Sequence, residues 1–348
     1  MEPIWKDYYV SLGTADGVLY RIRLDDAAGE IIYQGKAYQR PDTLTTEIRI
    51  NDVCADYFSG VVLNLTQATL SSMSLPLTFY VEYYDEANET WTAADTVQFL
   101  DDWSYDRSYD AATMGLSFPI NGRIDVRMWI PYTAVGASQV SMEIHYKDGT
   151  TATVIVPIAI SADFSSDFNA DFARHTTAAG SGTAVFNLTA WTDVDYVVIG
   201  NARYQVVTDC GRYALYYKNA YGGYDAFLLD GICRRTDVLE RGNVDVEYDN
   251  RSVQNRGVRN YINEYKQSWV LNTGLLSDDA GLLSDDAGLM MHHLLNSTDV
   301  YLYDIDSGEM TPVVITDTET EYKTFKTSGR QPVQYAITVE VAQKFARR

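Results

Sequence analysis

The chain is poor in the residues on which metal centres and nucleophilic catalysis depend. Its 348 residues include three cysteines and four histidines. The cysteines have no metal-type spacing. Cys210 and Cys233 could face each other across a hairpin, but free buried thiols are favoured in a chain without an export signal. No G-x-S-x-G, phosphate-loop, H-E-x-x-H or C-x-x-C motif occurs. We therefore expect no catalytic residue, no metal site and no cofactor.

Long apolar runs and an excess of positive charge are also missing. No stretch approaches the roughly 18–20 apolar residues that cross a bilayer. The N-terminus, MEPIWKDYYVSLG, has neither the basic nor the apolar region of a signal peptide. The 48 acidic and 27 basic residues give a net charge of −21, which repels nucleic-acid phosphates and anionic lipids. We expect neither nucleic-acid binding nor membrane insertion.

Tyrosine, by contrast, is abundant: 27 residues against 11 phenylalanines. Tyrosine joins an apolar ring to a polar tip, so it suits half-buried strands and also contact surfaces between proteins. The excess has two readings, one in which it reflects strand preference alone and one in which it marks interfaces.

Short runs rich in Val, Ile and Tyr, separated by turn residues, predict strands along most of the chain, among them 18–24, 139–146 and 202–207. LTFYVEYY (77–84) and RIDVRMWI (123–130) alternate by two, and each is predicted to be one strand. An Asp148-Gly149 pair between two such runs predicts a hairpin whose two central residues both have positive φ. Residues 304–309 resemble part of a calcium loop but lack its remaining ligands, so a hairpin turn is expected there.

Two short helices are predicted. Asn51 is placed to cap one that runs to Tyr57. The other lies near 284–295, where Ser284 can cap the first amides. An exact repeat, GLLSDDA, precedes and enters it at 274–280 and 281–287. The repeat either lies in a loop or lengthens the helix.

These signals predict an all-β, multidomain fold, made mainly of antiparallel sandwiches or barrels with one or two short helices. The predicted divisions are an N-terminal β-unit (1–60), an immunoglobulin- or fibronectin-like sandwich (61–162), a linker (163–183) and a C-terminal β-rich region (184–348).

The predicted linker contains DFSSDFNADF, in which Phe164, Phe168 and Phe172 recur every four residues. In extended chain this spacing places the three rings on one face and the intervening aspartates on the other. We expect the Phe row to pack on a neighbouring domain. Exposed aromatic residues elsewhere could stack on sugars or contact partners. These candidates are Trp91, Trp103, Tyr105, Tyr109, Tyr221 and Tyr224.

Several segments resemble tail-module proteins of phages and prophages of Bacteroides-type bacteria. They are YYKNAYGGYDAF (216–227), INEYKQSWVLNTGLLS (262–277), STDVYLYD (297–304), TPVVITDTETEYKTFK (311–326) and YAITVEVAQKFARR (335–348), with IIYQGKAYQRP (31–41) and EIRINDVCADYF (47–58) near the N-terminus. The doubled GLLSDDA departs from that pattern.

The resemblance implies a structural protein of the virion that is assembled in the host bacterial cytoplasm. It would be a tail hub, distal-tail or baseplate component that forms a ring-type homo-oligomer and binds other tail proteins. The alternative is a module of the tail tip that binds a host receptor or surface glycan. A third reading, an enzyme acting on cell wall or capsule, requires a carboxylate pair in a cleft.

Overall fold

The structure is a computed structural model. It describes residues 2–58, 69–71, 77–100, 114–115, 122–135, 137, 139–157, 182–200, 202–208, 211–245, 258–274, 284–317, 334–342 and 345–347. Most of these residues lie in strands of several sheets, and two short helices accompany them. The predicted all-β fold class is confirmed. None of the helices in these ranges is long and apolar enough to span a membrane.

In chain order, the strands up to residue 157 are β1 (Glu2–Pro3), β2 (Tyr9–Ser11), β3 (Val18–Leu24), β4 (Ile31–Ala37), β5 (Glu47–Arg49), β6 (Thr69–Ser71), β7 (Leu77–Asp85), β8 (Thr90–Leu100), β9 (Met114–Gly115), β10 (Gly122–Asp125), β11 (Trp129–Val135), β12 (Gln139–Tyr146) and β13 (Thr151–Pro157). The later strands are β14 (Gly182–Asn187), β15 (Val194–Ile199), β16 (Ala202–Val207), β17 (Tyr213–Lys218), β18 (Tyr224–Leu229), β19 (Arg234–Asp245), β20 (Val258–Asn272), β21 (Val300–Asp304), β22 (Glu309–Ile315), β23 (Ala336–Val341) and β24 (Phe345–Arg347). The helices are α1 (Asn51–Ala55) and α2 (Ser284–Leu295).

The chain divides into two compact units, each made of several stretches of sequence. Unit 1 comprises Met1–Pro119, Trp129–Arg203 and Lys218–Asp225, and unit 2 comprises Ile120–Met128, Tyr204–Tyr217 and Ala226–Arg348. The domain boundaries expected from the sequence stay predictions.

The first sheet of unit 1 has the strand order β1-β8-β7-β3-β4. Successive side chains along its strands point to opposite faces, so that one row faces a core and the other faces outwards. Ile22, Phe79, Val81 and Phe99 are almost fully buried in that core. Their rings and branched side chains supply the apolar burial that stabilises this part of the unit.

Helix α1 follows the short β2–β5 pair and differs from its prediction at the N-terminus. Ile50 occupies the cap position, and no side chain caps the helix. Asn51 lies inside the first turn, where it is buried. Its side chain accepts a hydrogen bond from the Tyr8 amide at 2.6 Å and donates to the carbonyls of Ile4 and Lys6 at 2.6 Å each. The predicted cap is therefore wrong, because the Asn51 amide is used to fasten the N-terminal segment.

Two further groups of strands belong to unit 1. Strand β12 pairs antiparallel with both β13 and β15, and β14 pairs antiparallel with β11 and β6. The β12–β13 hairpin confirms the predicted turn, but only Gly149 has positive φ. Asp148 instead accepts hydrogen bonds from the amide and hydroxyl of Thr150, at 2.9 and 2.6 Å. This local bonding fixes the turn without a left-handed aspartate.

The single strand predicted for 123–130 is interrupted. Strand β10 ends at Asp125, and β11 begins at Trp129. Asp125 is fully buried, and its carboxylate accepts hydrogen bonds from the Arg127 amide and guanidinium at 2.8 to 3.0 Å. The Met128 amide donates to the Asp125 carbonyl at 2.9 Å, which closes a turn. The ion pair of buried Asp125 with half-buried Arg127 overrides the alternating pattern. Within unit 2, β10 pairs parallel with β16.

The large sheet of unit 2 has eight strands in the order β18-β17-β21-β22-β23-β20-β19, with β24 also paired to β20. Its antiparallel neighbours include β17–β21, β21–β22, β22–β23 and β20–β23. Nearly every residue of β17 and β18 is buried, so these two strands are covered on both faces. The predicted turn between β21 and β22 is confirmed, with Gly308 at φ 71°.

Candidate functional site

Trp91 is the best described of the aromatic residues expected at a contact surface. It lies on β8 directly opposite Tyr84 of β7, and the two rings are 5.4 Å apart at 61°. The guanidinium of Arg21, on β3, lies 4.1 Å from the centre of the Trp91 ring. At this distance the cation is attracted by the electron-rich face of the indole. One face of Trp91 is therefore occupied by Arg21.

Arg21 is itself held by a buried carboxylate on the outer face of the same sheet. Glu82 of β7 is 6% exposed and accepts hydrogen bonds from the Nε atoms of Arg21 and Arg23, the second at 3.0 Å. Arg23 also donates to the Gly29 carbonyl at 2.6 Å. Burial alone would raise the pKa of Glu82, but the hydrogen bonds and charges of the two arginines outweigh it and lower the pKa.

This arrangement restricts what the Trp91 surface can bind. A sugar ring stacking on the face that Arg21 covers would have to displace an arginine that is fixed by Glu82. Access is left only through the rest of the indole and through Tyr84, both of which are half-buried.

The turn that contains Tyr221 and Tyr224 is held by Asn219, which is fully buried. Its side-chain oxygen accepts hydrogen bonds from the amides of Tyr221 and Gly223, at 2.9 and 3.1 Å. Its side-chain nitrogen donates to Asp225 at 2.6 Å. Tyr224 is 1% exposed, so it contributes to packing, whereas Tyr221 is half-buried and within reach of a partner.

The remaining contact candidates are not among the described residues. Trp103, Tyr105, Tyr109, Phe164, Phe168 and Phe172 lie outside the described residues, as do Cys210 and most of the GLLSDDA repeat. Their proposed roles stay predictions.

Unit 2 contains an ionisable cluster that the sequence does not predict. Asp230, just after β18, is bonded through one carboxylate oxygen to Arg123 of β10. Within the described part of the chain, its other oxygen is buried and has no hydrogen-bond partner. Burial raises the pKa of Asp230, although the charge of Arg123 opposes this shift. Such unsatisfied oxygens are costly and are uncommon in folded proteins.

Two glycines make this close packing possible. A Cβ at Gly274, whose φ is +70°, would overlap a carboxylate oxygen of Asp230. A Cβ at Gly231 would lie 2.7 Å from both the Gly274 amide nitrogen and a side-chain oxygen of Asn272. Glycine is thus required for the two loops to approach each other. The pair of glycines was the sequence signal for this cluster, but they are separated by a 43-residue interval that no local pattern joins.

The side chains of this cluster serve to pack two loops against each other. Cys233 lies close enough to feel the charge of Asp230, but burial is the main reason why its pKa is raised. A raised pKa leaves the thiol protonated and makes it a poor nucleophile. In the ranges that the structure covers, no three side chains of His, Cys, Asp or Glu are grouped to hold a metal ion.

Comparisons with known proteins add no relative. No protein-family model matches the chain, and no curated protein or solved structure is significantly similar to it.

Proposed function

We propose that the chain is a structural protein of a bacteriophage tail, a hub, distal-tail or baseplate component that assembles as an oligomer. The observation that carries the proposal is where the phage-like segments lie. The five C-terminal ones supply all or part of β17, β18, β20, β21, β22, β23 and β24, which is every strand of the large unit 2 sheet except β19. Segments scattered over more than a hundred residues of sequence therefore belong to one structural element.

The outer strip of that sheet, formed by Val270, Val314 and their cross-strand neighbours, carries two exposed valines among charged and polar residues. Val314 is 55% exposed and lies opposite Glu340, and Val270 is 40% exposed and lies between Thr338 and Arg234. The alternate residues Trp269, Leu271, Ile337 and Val339 are buried on the other face. Interfaces between subunits combine apolar side chains with a polar rim, and this mixed strip supports such a contact.

Purified phage particles test the proposal directly. Mass spectrometry of particles released from the producing bacterium should find the chain among the tail proteins, and electron microscopy of the purified chain should show a closed oligomer. Particles that contain every other tail protein but lack this chain would refute the proposal.

A matched pair of variants tests the outer strip. Val314→Asp places a charge on it and should lower the amount of chain incorporated into particles. Ile232→Asp is the control, because Ile232 is 81% exposed in the connection between β18 and β19. Equal incorporation of both variants would show that the outer strip is not an interface.

Binding of a host glycan or receptor is the second candidate function. The Tyr84–Trp91 pair on an outer sheet face favours it, because aromatic side chains line ligand sites and Arg21 leaves part of these half-buried rings uncovered. A glycan array with the wild-type chain and with Trp91→Ala tests it. Hits that disappear in the variant support the role, and an array without hits removes it.

A further inference from the structure

Sheet edges in this chain differ in how well they are protected from pairing with another chain. An edge strand leaves a row of backbone N–H and C=O groups open, and proteins usually blunt such edges with charge, brevity, bulges or a cover. The free edge β4 carries Lys36 and meets its neighbour β3 through a register shift. The edge β19 carries Arg234, Arg235 and Asp237 and also has a register shift. Both edges therefore have protective features.

The remaining edges are short, buried or charged. Within the described ranges, strands β1, β2, β5, β6, β9 and β24 have two or three residues each, and β18 is buried along its whole length. Strand β10 carries Arg123 and Asp125.

Within the described ranges, β13 lacks charge, brevity, a bulge and a covering strand, and its one protective residue is Pro157 at its C-terminal end. Its sequence, TATVIVP, has seven residues and no charge, and its pairing with β12 runs without a register shift. No described strand pairs with its other side. Ile155 is 56% exposed, and none of the residues from Thr151 to Val156 is buried. A long, uncharged and open edge of this kind is a template for strand addition.

The core row of this sheet extends to the open edge. Val140, Met142 and Ile144 on β12 are buried, and Val156, Val154 and Ala152 lie directly opposite them on β13. These three β13 side chains are only half-buried. A further strand beside β13 would cover them and continue the same apolar row.

We propose that β13 pairs antiparallel with β13 of a second copy of this chain, in a two-fold contact centred on Val154. This register places Ala152 opposite Val156, Thr153 opposite Ile155, and Val154 opposite itself. It keeps core-facing residues together and outward-facing residues together, as a continuous sheet requires. It also brings the whole strand into register, with Pro157, which donates no backbone hydrogen bond, opposite Thr151 at each end.

Charge favours a second copy as the occupant. The chain has a net charge of −21, so most contacts between two copies bring carboxylates together. The β13 contact introduces no charged pair, because the strand contains no ionisable side chain. A basic partner would be attracted to the acidic surface elsewhere and would gain nothing from this uncharged edge.

The inference rests on the proposed function only in requiring self-association. A two-fold contact closes on itself, so it would join two rings or two single chains and would not build a ring. Loss of the chain from phage particles with the β13 contact intact would refute the proposed function alone. Normal incorporation combined with failure of the tests below would refute the β13 contact alone.

Complementary charge variants test the register. T153K/I155K should repel itself at both Thr153–Ile155 pairs, and T153E/I155E should do the same, each weakening the contact about tenfold or more. Mixing the two variants should restore it, because every Lys then faces a Glu. Analytical ultracentrifugation of the full chain should show the mass of the wild-type assembly halved in each variant and recovered in the mixture.

The control for added charge is I31K/Q34K on the β4 edge, which should leave the assembly mass unchanged. Circular dichroism melting checks that the variants fold. A wild-type chain that does not self-associate, a T153K/I155K variant as large as wild type, or a mixture that stays dissociated would each overturn the proposal.

A disulfide test reads the register independently. Val154→Cys places two thiols opposite each other across the two-fold axis and should cross-link the copies on oxidation. Val156→Cys lies on the same face, but Ala152 is opposite it, so it should give only the background from the native thiols in wild type. Equal cross-linking by both variants would contradict the register and overturn the proposal.

Discussion

Two glycines in turns of unit 1 allow backbone strain to be separated from steric overlap. Gly149 and Gly200 have φ of 84° and 58°, so an added methyl group strains the backbone at both. A Cβ at Gly149 would meet nothing within 4 Å. A Cβ at Gly200 would overlap the hydroxyl of Tyr132 and lie 2.6 Å from its Cζ. The two sites therefore share the first cost and differ in the second.

The magnitudes follow from these two costs. Left-handed backbone costs an alanine about 1 kcal/mol, and forcing a methyl group into occupied space adds roughly 1–3 kcal/mol. Gly149→Ala should lower the free energy of unfolding by about 1 kcal/mol, and Gly200→Ala by about 2–4 kcal/mol. Urea unfolding followed by intrinsic fluorescence measures both. The reasoning fails if Gly200→Ala is no more destabilising than Gly149→Ala.

Three other side chains, Glu82, Cys54 and Tyr8, should show measurable effects on stability or reactivity. Glu82→Gln should lower the free energy of unfolding by roughly 1–3 kcal/mol, because it leaves two arginines without their carboxylate. The pKa of Glu82 is lowered on folding, so the stability that Glu82 contributes is present above its ordinary pKa of 4.5 and should be lost as pH falls below that value. Urea titrations over this pH range should show a larger fall in the free energy of unfolding for the wild type than for the variant. Burial raises the pKa of Cys54 to about 12, so a thiol reagent should leave Cys54 unmodified in the native chain and label it only after unfolding. Burial and a hydrogen bond to Asp95 raise the pKa of Tyr8 from 10 to about 12. The stability that this raised pKa contributes is present below pH 10 and is lost as pH rises towards 12. A Tyr8→Phe variant whose free energy of unfolding falls as much as that of the wild type over this range would contradict the assignment.

Local pattern was sufficient to predict most strands. Val18–Leu24, Gln139–Tyr146 and Ala202–Val207 have the predicted bounds, because period-two alternation and flanking turn residues act over a few positions. The fold class followed from the same signals.

Contacts between distant parts of the sequence were not predictable in this way. The side chain of Asn51 bonds to backbone groups 43 to 47 positions away, so it is not free to cap its helix. Asp230 bonds to Arg123 across 107 positions, and no spacing rule joins them. Trp91 was selected for its type alone, and the arginine that covers it lies on another strand. These features are decided by tertiary packing, which overrides local preference.

The net charge of −21 gives a final test of how copies of this chain associate. Carboxylates spread over the surface repel a second copy, so association must rely on uncharged surfaces such as β13. Salt screens this repulsion, with a Debye length of about 10 Å at 0.1 M that shortens as salt rises. Raising sodium chloride should therefore strengthen self-association, as measured by the dissociation constant in sedimentation equilibrium. Association through ion pairs would respond in the opposite direction, because screening weakens attraction between opposite charges. A dissociation constant that rises with salt would show that charged contacts hold the copies together, which would contradict the β13 contact.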